Sequence, residues 1–177
     1  MHNEYPLDEV LPQIWIMEPA FIERIFVMHR WNQLLKGKVN QGAVISFHTR
    51  HKLLLMAHNP QLYRESGKLV AEVSHMPIEQ FLPEYISLIM KAMSFSATRS
   101  KHQNVLQHIL GYFKNDLNSS EKAEMLELIE SYKARFVPLI VPVTLLNHYV
   151  RKYDKQYLAE QYYLNPHPME LALRNHV

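Results

Sequence analysis

The sequence predicts an all-α protein, a single-domain helical bundle of about eight helices around one central apolar helix. Three observations carry this. Leu, Met, Lys, Glu and Ala dominate the long segments and only 4 glycines occur in 177 residues, a composition that favours helix. No stretch alternates apolar and polar residues with the two-residue period of a strand. The segment 41–58 is apolar almost all round, as expected of a helix at the centre of a fold. With 47% apolar and 20% charged residues, the chain can bury a substantial core.

Residues 1–18 contain Pro6 and Pro12 and no helical period, and read as an extended leader before a helical domain over 19–177. Pro19 suits a first helical turn and Gly37 a stop, giving a helix over 19–36. A second helix over 41–58 ends at Asn59-Pro60, and the same pair caps and opens a third, to about residue 74. A fourth spans 77–96, with Pro83 as a kink or as its true start. A fifth covers 98–114. A sixth, 119–133, starts behind Asn118 or Ser119. A seventh, 137–153, holds Pro138 and Pro142 in its opening turns. An eighth, 155–163, stops before Asn165-Pro166, and the tail leaves room for a short final helix.

Composition narrows the chemistry. Without cysteine there are no disulfides, thiolate nucleophiles or cysteine-bound clusters. No apolar run approaches the ~20 residues of a membrane-spanning helix, and the acidic N-terminus is unlike a signal peptide. A cytoplasmic protein without a membrane partner is expected. No glycine-rich phosphate loop, H-E-x-x-H or G-x-S-x-G pattern occurs, and no cofactor or metal is expected. His48, His51 and His58 lie on one helix but share no tight face and have no carboxylate nearby in sequence, so they read as structural.

Charge is unevenly spread. No acid lies between Glu23 and Glu65, between Glu84 and Asp116, or between Glu130 and Asp154. Convergence of these segments would create a basic face; otherwise each is ordinary surface. Arg50 and Lys52 sit on the central helix and need anionic partners, an open cleft or a route to water. On the fifth helix Val105, Leu106, Ile109, Leu110 and Phe113 form the apolar stripe. Lys101, Asn104, Gln107, His108 and Gly111 lie opposite, with Tyr112 at the edge. Gly111 points to a close approach, by a neighbouring helix or a ligand. On the seventh helix Leu139, Val143, Leu146 and Val150 are buried, while Thr144, His148 and Arg151 share another face. Amides, imidazoles and cations without acids suit phosphates and base edges.

Four stretches in fixed order, FHTRHKLLLMAH at 47–58 followed by Tyr63 and Gly67, ATRSKHQNVLQHILGY at 97–112, PLIVPVTLLNHYVR at 138–151 and YLAEQYYLNPHPMELALRN at 157–175, resemble the YbgA-like family. FIERIFVMHRW at 21–31 fits as well. The family is described as a domain of unknown function that occurs alone or fused C-terminal to a cysteine-dependent thiouracil desulfidase-type domain. The resemblance implies that the YbgA-like part holds tRNA while the other domain removes sulfur from thiolated uridine. The leader looks like a remnant of the segment that joins the two.

The expected function is therefore a helical RNA-binding accessory module, for tRNA or another structured RNA, without catalysis of its own. Arg50, Lys52, Arg99, Lys101, Arg151 and Lys152 would meet phosphates. His58, Asn104 and His108 would supply directional hydrogen bonds, and Tyr112 or Tyr149 would stack on bases. An adaptor for a separately encoded desulfidase or repair enzyme would instead show a contiguous exposed apolar patch. An unrecognised enzyme would show a deep pocket with a strongly shifted titratable group.

Overall fold

The computed structural model describes residues 19–170; the leader and the end of the tail lie outside the described residues. Eight helices follow in order: α1 Pro19–Lys36, α2 Gln41–His58, α3 Pro60–Ala71, α4 Ile78–Met93, α5 Arg99–Gly111, α6 Ser119–Lys133, α7 Ile140–Lys152 and α8 Gln156–Ala159. Residues 168–170 are again helical, and the described residues contain no strand. The all-α reading holds, with α2 at the centre, packed against α1, α3, α4 and α5. Helices α5, α6 and α7 form a second group that meets α2 through α5.

Local chemistry sets the boundaries. Asn40 caps α2 by accepting from the Ala43 amide at 2.9 Å. Asn59 closes α2, and its side chain accepts from the Gln61 and Leu62 amides at the start of α3, with Pro60 in the first turn. Thr98 caps α5. Asn118 and Glu121 form a reciprocal capping box on α6. Pro83 lies inside α4 on an exposed face, where water can take the carbonyl its missing N–H leaves free.

Burial follows the predicted stripes. On α2, Val44, Phe47, Leu53, Leu54, Leu55, Met56 and Ala57 are all buried, so the helix is enclosed on several sides. Phe81, Tyr85, Ile89 and Met93 of α4 and Val105, Leu106, Ile109 and Phe113 along α5 complete the core. Arg30 ties α1 to the tail: its guanidinium lies 2.5 Å from the enclosed Glu170 carboxylate and 3.9 Å from the Tyr162 ring centroid. No helix among the described residues is long and apolar enough to cross a membrane.

Two helices end on non-glycine residues in the left-handed region, Arg135 at φ 70° and Asp154 at φ 48°. Beyond Arg135 the Phe136 amide returns to the Ser131 carbonyl at 2.9 Å, the closure a glycine usually permits. Replacing Arg135 with Gly is expected to raise stability by about 1 kcal/mol, read from a denaturant titration.

Candidate functional site

The two charged residues of the central helix reach solvent differently. Arg50 emerges towards the tail, where its Nε donates to Glu160 at 3.3 Å on the surface. Lys52 is half-buried and makes no hydrogen bond or ion pair among the described residues. It lines a pocket of about 310 Å³ between α2 and α3, with Gln41, Ile45, His48 and Thr49 on one wall and Gly67, Val70, Ala71, Val73 and Ser74 on the other.

His48 is the buried polar group of this pocket. It is only 2% exposed, and Nδ1 lies 3.1 Å from the Tyr85 hydroxyl. Burial, and secondarily the Lys52 ammonium, lower its pKa from 6.5 to about 4, so the ring is neutral at pH 7. Burial drives the Tyr85 phenol far above its ordinary value, so it keeps its proton. In the tautomer whose Nδ1 accepts that proton, the His48 hydrogen sits on Nε2. Nε2 has no partner and lies on the Gly67 side, 3.8 Å from where a Gly67 methyl would be.

The other two histidines of α2 are interior groups. His51 bonds the Phe47 carbonyl through Nδ1 at 2.6 Å and packs against Phe47 and Tyr162. Its Nε2 is unpartnered, and burial lowers its pKa to about 3. His58 is fully enclosed, with Nε2 2.6 Å from Glu23 and Nδ1 2.6 Å from the Phe95 carbonyl. Both nitrogens are spent inside the fold, which removes His58 from any interface.

The polar side of α5 divides in the same way. Lys101 donates to the carbonyls of His58 and Ser96, at 2.7 and 2.9 Å, and so closes the end of α2. Arg99 donates to the Tyr132 carbonyl at 2.8 Å and covers that ring. Asn104 and His108 are exposed. His108 stands edge-on to Tyr112, which is 40% exposed and stacks on Tyr157 at 5.4 Å and 22°. Tyr63 of α3 completes a trio of phenols; burial first, then Tyr112, raises the pKa of both Tyr63 and Tyr157. Gly111 overturns the expectation of close packing, because a Cβ there meets nothing within 4 Å.

On α7, Tyr149 is 4% exposed and packs against Phe113, so it is a core residue and presents no stacking face. Arg151 is exposed and makes no bond among the described residues. Lys152 pairs with Glu121 at 2.9 Å and lies over the Tyr153 ring. Three cations from segments without acids thus meet acids brought from elsewhere in the chain: Arg30 with Glu170, Arg50 with Glu160 and Lys152 with Glu121. Of the six proposed phosphate contacts, Lys52 and Arg151 alone are unengaged among the described residues.

Two candidate surfaces therefore stand out. One is the α2–α3 pocket with Lys52 and His48. The other is the exposed Asn104–His108–Tyr112 edge of α5 backed by Tyr157. Sequence reasoning did not place His48, Tyr63 or Gly67 in these surfaces, because only the packing of α3 brings them there.

The arrangement defines an all-α domain, and its described residues hold no cluster of three or more metal-ligating side chains. The chain belongs to the family described as a protein of unknown function (DUF1722), whose model matches residues 52–168. It is 31% identical over 153 residues to the "Uncharacterized protein YbgA" of Escherichia coli (strain K12), covering 86% of this chain and 90% of that protein. No solved structure matches.

Proposed function

We propose that this chain is an RNA-binding accessory module of the cytoplasm. In this reading its RNA is a tRNA, and it serves thiolated-uridine metabolism beside a separately encoded desulfidase-type protein. One observation carries the reading: Tyr112 offers an exposed aromatic face, held by stacking on Tyr157, beside His108 and Asn104 on a helix that has no acidic residue. A base stacked on such a platform contributes about 1–3 kcal/mol. The amide and imidazole supply directional bonds, and exposed Arg151 and half-buried Lys52 supply uncommitted charge.

The competing readings have less support. The exposed large apolar side chains lie on α1, α2, α6, at Tyr112 after α5, at Met169 in the tail and on the loops carrying Phe95 and Phe136. The α2–α3 pocket contains a shifted histidine, but one held neutral, and no carboxylate lines it. An acid–base catalyst needs a group that titrates near the working pH.

Gly111 provides a clean test because its surroundings are open. Gly111→Ala is expected to stabilise the fold by up to about 1 kcal/mol, while Gly111→Glu places a charge against any bound RNA. Gly111→Glu and Tyr112→Ala are each expected to weaken tRNA binding by about tenfold, with melting temperatures close to wild type. Unchanged affinity in both variants would overturn the reading.

A further inference from the structure

We infer that the α2–α3 pocket is a binding site for a phosphate monoester, with the Lys52 ammonium and the His48 Nε2–H as its principal donors. The inference shares Lys52 with the RNA-binding reading but does not need the α5 surface. The pocket of about 310 Å³ is at the small end of ligand sites. Its polar lining is Lys52, His48, Thr49, Ser74 and Gln41, and it contains no carboxylate. Apart from the His48–Tyr85 bond, none of these side chains makes a hydrogen bond or ion pair among the described residues. Tetrahedral phosphate has several acceptor oxygens and suits an ammonium, an imidazole N–H and two hydroxyls at once. Ile45, Val70 and Val73 add apolar wall for the group the phosphate carries, such as a nucleoside.

The unpartnered nitrogen strengthens the case. His48 is 2% exposed, its Nδ1 is tied to Tyr85, and Nε2 has no acceptor. A buried donor without an acceptor is costly to keep, and native folds seldom retain one without a use. Gly67 lies beside it, so a ligand oxygen entering over that residue meets no side chain there. A cation and a neutral N–H on one wall favour an anion over a neutral ligand. The same chemistry would accept a free nucleotide or the terminal phosphate of an RNA.

The test is calorimetric titration of the intact chain with uridine 5′-monophosphate, inorganic phosphate, and a short RNA with or without a 5′-phosphate, alongside thermal melts. The nucleotide is expected to bind, Lys52→Gln to weaken it by roughly tenfold or more, and Gly67→Leu to abolish binding by filling the pocket. Lys52 is half-buried and unpaired, so Lys52→Gln keeps the test valid even if Gly67→Leu fails to fold. Binding only of the 5′-phosphorylated RNA, lost in Lys52→Gln, would support the site and identify an RNA end as its source. No binding of any phosphorylated probe, or binding indifferent to Lys52→Gln, would overturn it. Nucleotide binding that survives Gly111→Glu while tRNA binding is lost would show the two surfaces to be separate.

Discussion

Lowering the pH from 7 to 5 is expected to cost the fold about 2 kcal/mol at each of His48 and His51. Their pKa values are lowered from 6.5 to about 4 and about 3, mainly by burial. Above pH 6.5 both rings are neutral whether the chain is folded or not, and they impose no penalty. Below it the unfolded chain takes up protons that the folded chain refuses, so stability falls with pH. The loss continues to about pH 4 for His48 and about pH 3 for His51. Native stabilities are commonly only 5–15 kcal/mol, so the combined effect is large. Denaturant titrations at pH 7, 6 and 5 measure it. His51→Gln should remove about half of the slope contributed by these two rings, whatever it does to stability at pH 7. A slope unchanged in that variant would show that His51 is accessible to protons in the fold.

Removing Glu23 should be comparably damaging. Glu23 is 3% exposed and His58 is fully buried, with 2.6 Å between them. Leaving the buried His58 Nε2 without its partner costs about 1–3 kcal/mol. Glu23→Ala should therefore lower the denaturation midpoint sharply, and Glu23→Gln, which keeps a hydrogen-bonding group opposite Nε2, should lose less. Equal losses in the two variants would mean that packing, and not the bond to His58, sets the cost.

Much of the helical layout was legible because its signals are local. Asn59-Pro60 ends one helix and begins the next through a single side chain and a fixed φ, and α1, α2 and α6 span the expected residues. The misplaced ends have tertiary causes. Residues 94–96 leave the helical path while the carbonyls of Phe95 and Ser96 are taken by His58 and Lys101. The eighth helix stops at Ala159, well short of 163: the Tyr162 amide bonds the Arg50 carbonyl, and the buried Gln161 side chain bonds Thr49 and Leu53 of α2. Neither partner is near in sequence.

The site was less legible for the same reason. An interval without acids does not stay without acids in space, as Arg50–Glu160 and Lys152–Glu121 demonstrate. His58 had no carboxylate nearby on its own helix; α1 brought one. The exposed edge of α5 could be read from helical periodicity, since Asn104 and His108 oppose a stripe that is buried. The pocket could not, because it requires α3 to lie across His48 and Lys52.

RNA binding is the central claim, and a tRNA titration across a salt series measures it most directly. Each phosphate contact contributes about 0.7–0.9 to the log–log slope. Lys52 and Arg151 are uncommitted, and the other four proposed cations could join by exchanging their present partners. The expected slope lies between about −1.5 and −5. Arg151→Gln should flatten it by roughly one unit with little change in melting temperature, because the side chain bonds to nothing else among the described residues. No binding at about 50 mM salt, or an affinity indifferent to salt, would contradict the account.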